Sequence, residues 1–218
     1  MRGLQSVVAC VAILVATQAS ALPATQVAFD TLGPSNAYLP GQGWGVGGGS
    51  ADGPTGANYT TAGQFVSQSS GTLTGVELAI SRFQGTPLVT LSLLSDDNGA
   101  PGTTLATAEA IVPDTPSLIS ASFTGAVQLS VQSAYWLSIS TNDLAAAHVW
   151  YFNAQSVQGR NAFTGALWQA PGEWFLQDWT LGAFRVTVAS SVPEAPTTAL
   201  MLVGALALLL HTRARSAG

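Results

Sequence analysis

The chain has 218 residues, of which only 8% are charged: six Arg and no Lys stand against eleven Asp plus Glu, for a formal net charge of −5. A soluble domain ordinarily carries about 25% charged residues, so no basic patch able to neutralise a polyanion can be built, and nucleic acid is excluded as a partner. With 47% hydrophobic residues, disorder throughout is excluded as well.

In chain order the first element is residues 1–21, which read as a secretory signal peptide. Arg2 supplies a positive start, Val7 to Ala16 is an apolar run of signal length, and Ala19-Ser20-Ala21 is a small-x-small cleavage site at Ala19 and Ala21. The run is too short to span a bilayer, which takes about 20 apolar residues. Cys10 is the only Cys, so removal of this segment leaves a body without disulfides or thiolate chemistry. A body long enough to bury its own core does not need such crosslinks.

Residues 22–192 form that body, with Arg82, Arg160 and Arg185 as its cations against ten carboxylates. Strand periodicity dominates it. Apolar residues recur at every second position in Val76-Leu78-Ile80, Val89-Leu91-Leu93, Val127-Leu129-Val131, Tyr135-Leu137-Ile139 and Phe184-Val186-Val188, with Ser, Thr, Gln or charged residues mostly between. This is the pattern of antiparallel strands with one wet face. Weaker strand patterns cover 26–32, 64–69, 103–112, 118–123 and 149–153, and no capped 3.6-residue period occurs in the body. Asn98-Gly99 supplies the positive φ of a tight hairpin turn. The glycine-rich run 41–49 reads as a long flexible loop, with Trp44 either pinning it to the body or exposed.

After the body, residues 193–218 make a three-part tail. Pro193-Glu194-Ala195-Pro196 precedes Thr197 to Leu210, an apolar stretch that can just cross a membrane, and the basic end 211–218 with Arg213 and Arg215 follows. By the positive-inside rule the Arg pair stays cytoplasmic and the body lies outside that membrane. The expected fold class is therefore all-β, an antiparallel two-sheet sandwich of jelly-roll kind, with an N-terminal signal helix and a single C-terminal transmembrane helix.

The tail resembles the PEP-CTERM sorting signal of Gram-negative bacteria. Pro193 and Glu194 match the first two residues of its motif, while Ala195 stands where the second Pro is expected and Pro196 is displaced by one. The resemblance implies transient anchoring in the inner membrane, processing near the motif by an exosortase-like membrane enzyme, and delivery to the cell surface or extracellular matrix. Within the body, Leu93-Leu94-Ser95-Asp96-Asp97-Asn98-Gly99-x-Pro101-Gly102-Thr103-x-Leu105, followed by Ala134 to Ile139, resembles the choice-anchor domains of bacterial surface proteins. That resemblance implies a β-sandwich surface module with no assigned catalysis and no cofactor.

The body offers little reactive chemistry. His148 is its only His, beside Val149-Trp150-Tyr151-Phe152, and reads as a satisfied strand-end residue; no G-x-S-x-G elbow accompanies it, and one His without Cys cannot hold zinc. Asp96, Asp97 and Asn98 offer oxygen donors to calcium but lack the alternating acids and distant Glu of an EF-hand loop, which favours a turn. Glu77, Glu109, Glu173 and Asp178 are the carboxylates open to a glycosidase pair, although strand alternation places Glu77 on an outer face. Aromatics are the remaining candidates. Trp136 and Trp150 are the expected glycan contacts, with exopolysaccharide as the partner, since flat rings stack on the apolar face of a sugar. Trp168, Trp174 and Trp179 are the alternative case, a small core beneath an irregular stretch over 159–179. The sequence thus favours a non-catalytic exported surface or matrix protein, followed by a carbohydrate-binding module and then a glycoside hydrolase.

Overall fold

The computed structural model describes residues 24–47, 58–165 and 173–190, all within one compact unit, Pro23–Val192. Its strands in chain order are β1 (Ala24–Asp30), β2 (Tyr38–Gly47), β3 (Thr60–Val66), β4 (Gly71–Gln84), β5 (Leu88–Asp97), β6 (Ala100–Ile111) and β7 (Ser117–Ser122). They continue as β8 (Gln128–Leu129), β9 (Ala134–Ser140), β10 (Ala147–Asn153), β11 (Gln158–Thr164), β12 (Phe175–Thr180) and β13 (Phe184–Ser190). The expectation of a sandwich flanked by two helices is corrected: the described residues contain strands and no helix. None among them is a helix long and apolar enough to cross a membrane. The two segments on which helices were expected, 1–21 and 197–210, lie outside the described residues, as do Ala19, Ala21, Pro193 and Glu194.

Two antiparallel sheets carry the fold. The first runs β1-β13-β4-β10-β2, with β7 and β8 also on β4; the second runs β12-β11-β3-β9-β5-β6. The 14-residue β4 is the hub of the first sheet. Ile80 faces Trp150 on one side and Ser117 on the other, and Val76 likewise lies between Val186 and Ala121. One edge of β4 is therefore shared in succession by β13 and β10, and the other by β8 and β7. Most connections cross from one sheet to the other; only β1–β2, β5–β6, β7–β8 and β11–β12 remain within a sheet.

The period-two residues meet between these sheets. Val76, Leu78 and Ile80 of β4, Val89, Leu91 and Leu93 of β5, Leu137 and Ile139 of β9, and Phe184, Val186 and Val188 of β13 belong to one buried cluster. Each such side chain contributes about 1.5–3 kcal/mol on leaving water, so the alternation places the driving force on one face of each sheet. At the β5–β6 hairpin, Asn98 has φ 53° and Gly99 φ 83°, the two positive values that a two-residue type I′ turn requires.

Three expected features are corrected. The Val127-Leu129-Val131 strand shrinks to Gln128–Leu129: Leu129 is buried, but Gln132 at φ 62° turns the chain and leaves Val131 exposed. The glycine-rich run is no loop up to Gly47, because it forms most of β2 along β10. Its glycines permit that pairing, since a Cβ on Gly43 would collide with the Trp150 carbonyl oxygen. The stretch 159–179 is not irregular at its two ends, where β11 and β12 pair from Gln158↔Thr180 to Phe163↔Phe175.

Candidate functional site

Where β2 ends the first sheet, the second sheet continues through β3, β11 and β12. Trp44 and Gly45 of β2, Tyr59 just before β3, Thr61 of β3 and Phe163 of β11 line an open cleft of about 230 Å³. Strand pairing assembles this wall. Thr61 lies opposite Phe163 in the β3–β11 register, and Tyr59 bridges to Gly47 at the end of β2. The Thr61 hydroxyl donates to the Gly45 carbonyl at 2.6 Å, tying the two sheets together at the floor.

The aromatic walls are braced from behind. The Trp44 indole N–H donates to the Thr180 carbonyl at 3.1 Å, and its ring meets Phe152 edge-on at 5.4 Å. Tyr59 and Phe163 form a T-shaped pair at 5.9 Å, and Phe163 packs against Phe175 at 4.9 Å. Rings held from more than one side lose little freedom when something binds them. All five lining residues are uncharged.

The expected glycan contacts are corrected by burial: Trp136 and Trp150 are each 0% exposed. Alternation does turn Trp136 away from the main core. That outer face is itself covered, because Ala62, Leu94 and Ala162 pack with Trp136 into a second small cluster against which Trp174 rests. The Trp136 indole donates to Asp96 Oδ1 at 2.8 Å. Trp150 points into the main core, meets Phe184 edge-on at 5.4 Å, lies against Gly63 and Gly182, and donates to the Ala183 carbonyl. Neither ring has a face to offer a sugar. Trp179, by contrast, is 57% exposed on β12, and Trp168 lies outside the described residues.

Several of the charged groups serve the frame. Asp96 also accepts from the Gln64 amide at 2.6 Å and from the Gly99 N–H at 2.9 Å. Burial, the largest influence on Asp96, pushes its pKa up. The Gly99 N–H, the Trp136 and Gln64 donors and the Arg160 charge together outweigh burial, and the carboxyl stays below its ordinary range. Asp97 accepts from Asn98 within the turn, and among the described residues no three His, Cys, Asp or Glu gather as a metal site. Arg185 joins β13 to β1 and β4 through Asp30 at 3.1 Å and Glu77 at 2.9 Å, and also reaches Asn36 and the Gly33 carbonyl. Glu77 is thus held by a structural cation, while Asp178 pairs with Arg160 on the surface.

His148 is buried and only half satisfied. Its Nε2 lies 3.2 Å from the Thr86 carbonyl, while Nδ1 has no partner. Burial chiefly lowers its pKa; the Thr86 carbonyl and Asp143 oppose that shift, and Arg82 adds to it. Its environment therefore favours the neutral ring. Asp143 accepts from the backbone N–H groups of Thr86 and Ala145, which stabilise its charged form.

No protein-family model matches the chain, and no curated protein matches it either. The candidate site accordingly stands on geometry. The residues missed by sequence reasoning, Trp44, Tyr59 and Phe163, lie far apart along the chain and become neighbours only through strand pairing.

Proposed function

We propose that this chain is a non-catalytic, exported surface or extracellular-matrix protein, whose sandwich is the delivered body and whose terminal segments are addresses. The observation that carries the reading is where the polar chemistry goes. Arg185 holds Asp30 and Glu77, Asp96 holds the Trp136 and Gln64 donors, and the His148 imidazole faces a backbone carbonyl. These groups fasten strands to one another, as a stable carrier without disulfides requires.

The signal at 1–21 would route the chain out of the cytoplasm, and the tail at 193–218 would hold it transiently at the inner membrane for an exosortase-like partner. The test is the intact mass of the protein recovered outside an exosortase-bearing host. The expected species begins after Ala21 and ends near Glu194, and replacing Arg213 and Arg215 by Asp slows its appearance. An extracellular form that retains residues 193–218 would overturn the processing step.

A further inference from the structure

We infer that His148 is the proton-sensitive pin of a clasp between two turns at one end of the sandwich, and that protonating it releases the clasp while the core stays folded. The inference rests on the groups around His148 and is independent of the export reading.

The clasp joins residues 85–87, between β4 and β5, to residues 141–146, between β9 and β10. Gly85 has φ 75° and lies so close to Ala146 that a Cβ on it would collide with the Ala146 backbone. Asp143 accepts from the Thr86 and Ala145 N–H groups, each at 2.9 Å. The Gln84 amide donates to the Ala145 carbonyl at 3.0 Å, and Arg82 donates to the Gly85 carbonyl at 2.7 Å. His148 Nε2 completes the set at the Thr86 carbonyl. Thr86 is thus held twice, by Asp143 at its N–H and by His148 at its carbonyl. Two buried amides belong to the same assembly: Ala146 N–H donates to the Asp143 carbonyl, and Val112 N–H to the Pro87 carbonyl.

The imidazole is 1% exposed. A carbonyl can only accept, so Nε2 carries the proton of the neutral ring and Nδ1 is a bare lone pair without a partner. A second proton would sit on Nδ1, where no acceptor meets it, and would place a full charge in a buried position. An unpaired buried charge costs far more than an unpaired lone pair. Two charged groups act on the ring. Arg82, its register partner on β4, repels an imidazolium; Asp143 attracts it, but already serves two backbone N–H groups. Arg82 is itself tied to Asp114, and the residue opposite His148 on β2 is the uncharged Val46. The ring therefore takes up its proton by leaving its recess, and the Thr86 carbonyl then loses its donor. The buried cluster containing Leu78, Leu137 and Val186 makes none of these bonds and keeps its packing.

Amide hydrogen exchange followed by NMR on the full chain, corrected for the intrinsic effect of pH, tests this. Between pH 7.5 and 5.5 the opening that exposes the Ala146 and Val112 amides should rise about tenfold, the effect of one proton taken up near 6.5. A local opening exposes little surface, so it should be insensitive to dilute urea. Exchange at Leu137 and Val186 should be slower and urea-sensitive. His148→Gln, whose amide can still donate to Thr86, should abolish the pH dependence at Ala146 and Val112. Asp143→Asn, with one acceptor for two N–H groups, should raise the opening at every pH and retain the pH dependence. Should His148→Gln fail to fold, the natural chain and Asp143→Asn carry the test. Clasp amides that open equally at both pH values, that keep their pH dependence in His148→Gln, or that match Leu137 in rate and urea sensitivity would overturn the proposal.

Discussion

The interior around Trp150 and the open edge around Trp44 contain the same kinds of residue in opposite circumstances. Both indoles donate to a backbone carbonyl, Ala183 for Trp150 and Thr180 for Trp44. Trp150 is enclosed by Phe184, Gly63 and Gly182, whereas Trp44 lines a cleft beside exposed backbone at Gly45. Strand alternation cannot distinguish them, since they face each other in the β2–β10 register. What separates them is position across the sheet. Trp150 lies on an internal strand beneath the opposite sheet, and Trp44 lies on the strand where its own sheet stops. Enclosure makes the first ring a stabilising element; among the described residues the second stands at the wall of an open cleft.

The sharpest way to break this contrast is Trp150→Ala. A buried Trp truncated to Ala costs about 3–5 kcal/mol, a large share of the stability of an ordinary domain. Urea unfolding should show the midpoint falling steeply, and a loss below about 1 kcal/mol would mean that the ring is not enclosed.

A smaller effect should come from pH on the same strand. His148 is favoured neutral in the folded chain, so on acidification the unfolded chain takes up its proton first. Its contribution is fully present above the ordinary value of 6.5 and is lost as pH falls below it toward the lowered folded value. Asp96 and Asp143 respond lower, because their contributions persist above 3.8 and are lost as pH falls through their lowered folded values. Unfolding free energies measured between pH 7 and 5 should therefore slope downward in the natural chain and flatten in His148→Gln. An unchanged slope in the variant would remove His148 as the cause.

The smallest effect belongs to the edge. Trp179→Ser removes a ring that is 57% exposed and should change stability by no more than about 0.5 kcal/mol. A loss comparable to that of Trp150→Ala would show that the edge aromatics are as enclosed as the interior.

The interior was legible because period two states which face is apolar: Leu78, Leu91, Leu137, Ile139 and Val186 all appear where alternation places them. The Asn98-Gly99 turn was equally legible, since its backbone demand is local. β2 was hidden because glycine weakens a strand in general, whereas here Gly43 allows the close approach of Trp150. Trp136 was misplaced for a related reason. Alternation correctly turned it outward, but nothing local reveals that Ala62, Leu94 and Ala162 build a second cover there. The cleft lay furthest from view, because Trp44, Tyr59 and Phe163 acquire a relation only when β2, β3 and β11 have been placed.

The pairing of β1 with β13 has a further consequence, in time. Ala24 faces Ser190 and Asp30 faces Arg185, and β1 has no other strand neighbour in its sheet. At about 5–20 residues per second of synthesis, the first of the described strands waits on the order of ten seconds for the last. Closing so long a loop is entropically slow. The first sheet cannot seal its β1 edge until β13 has been made, so this closure waits for the last of the described strands.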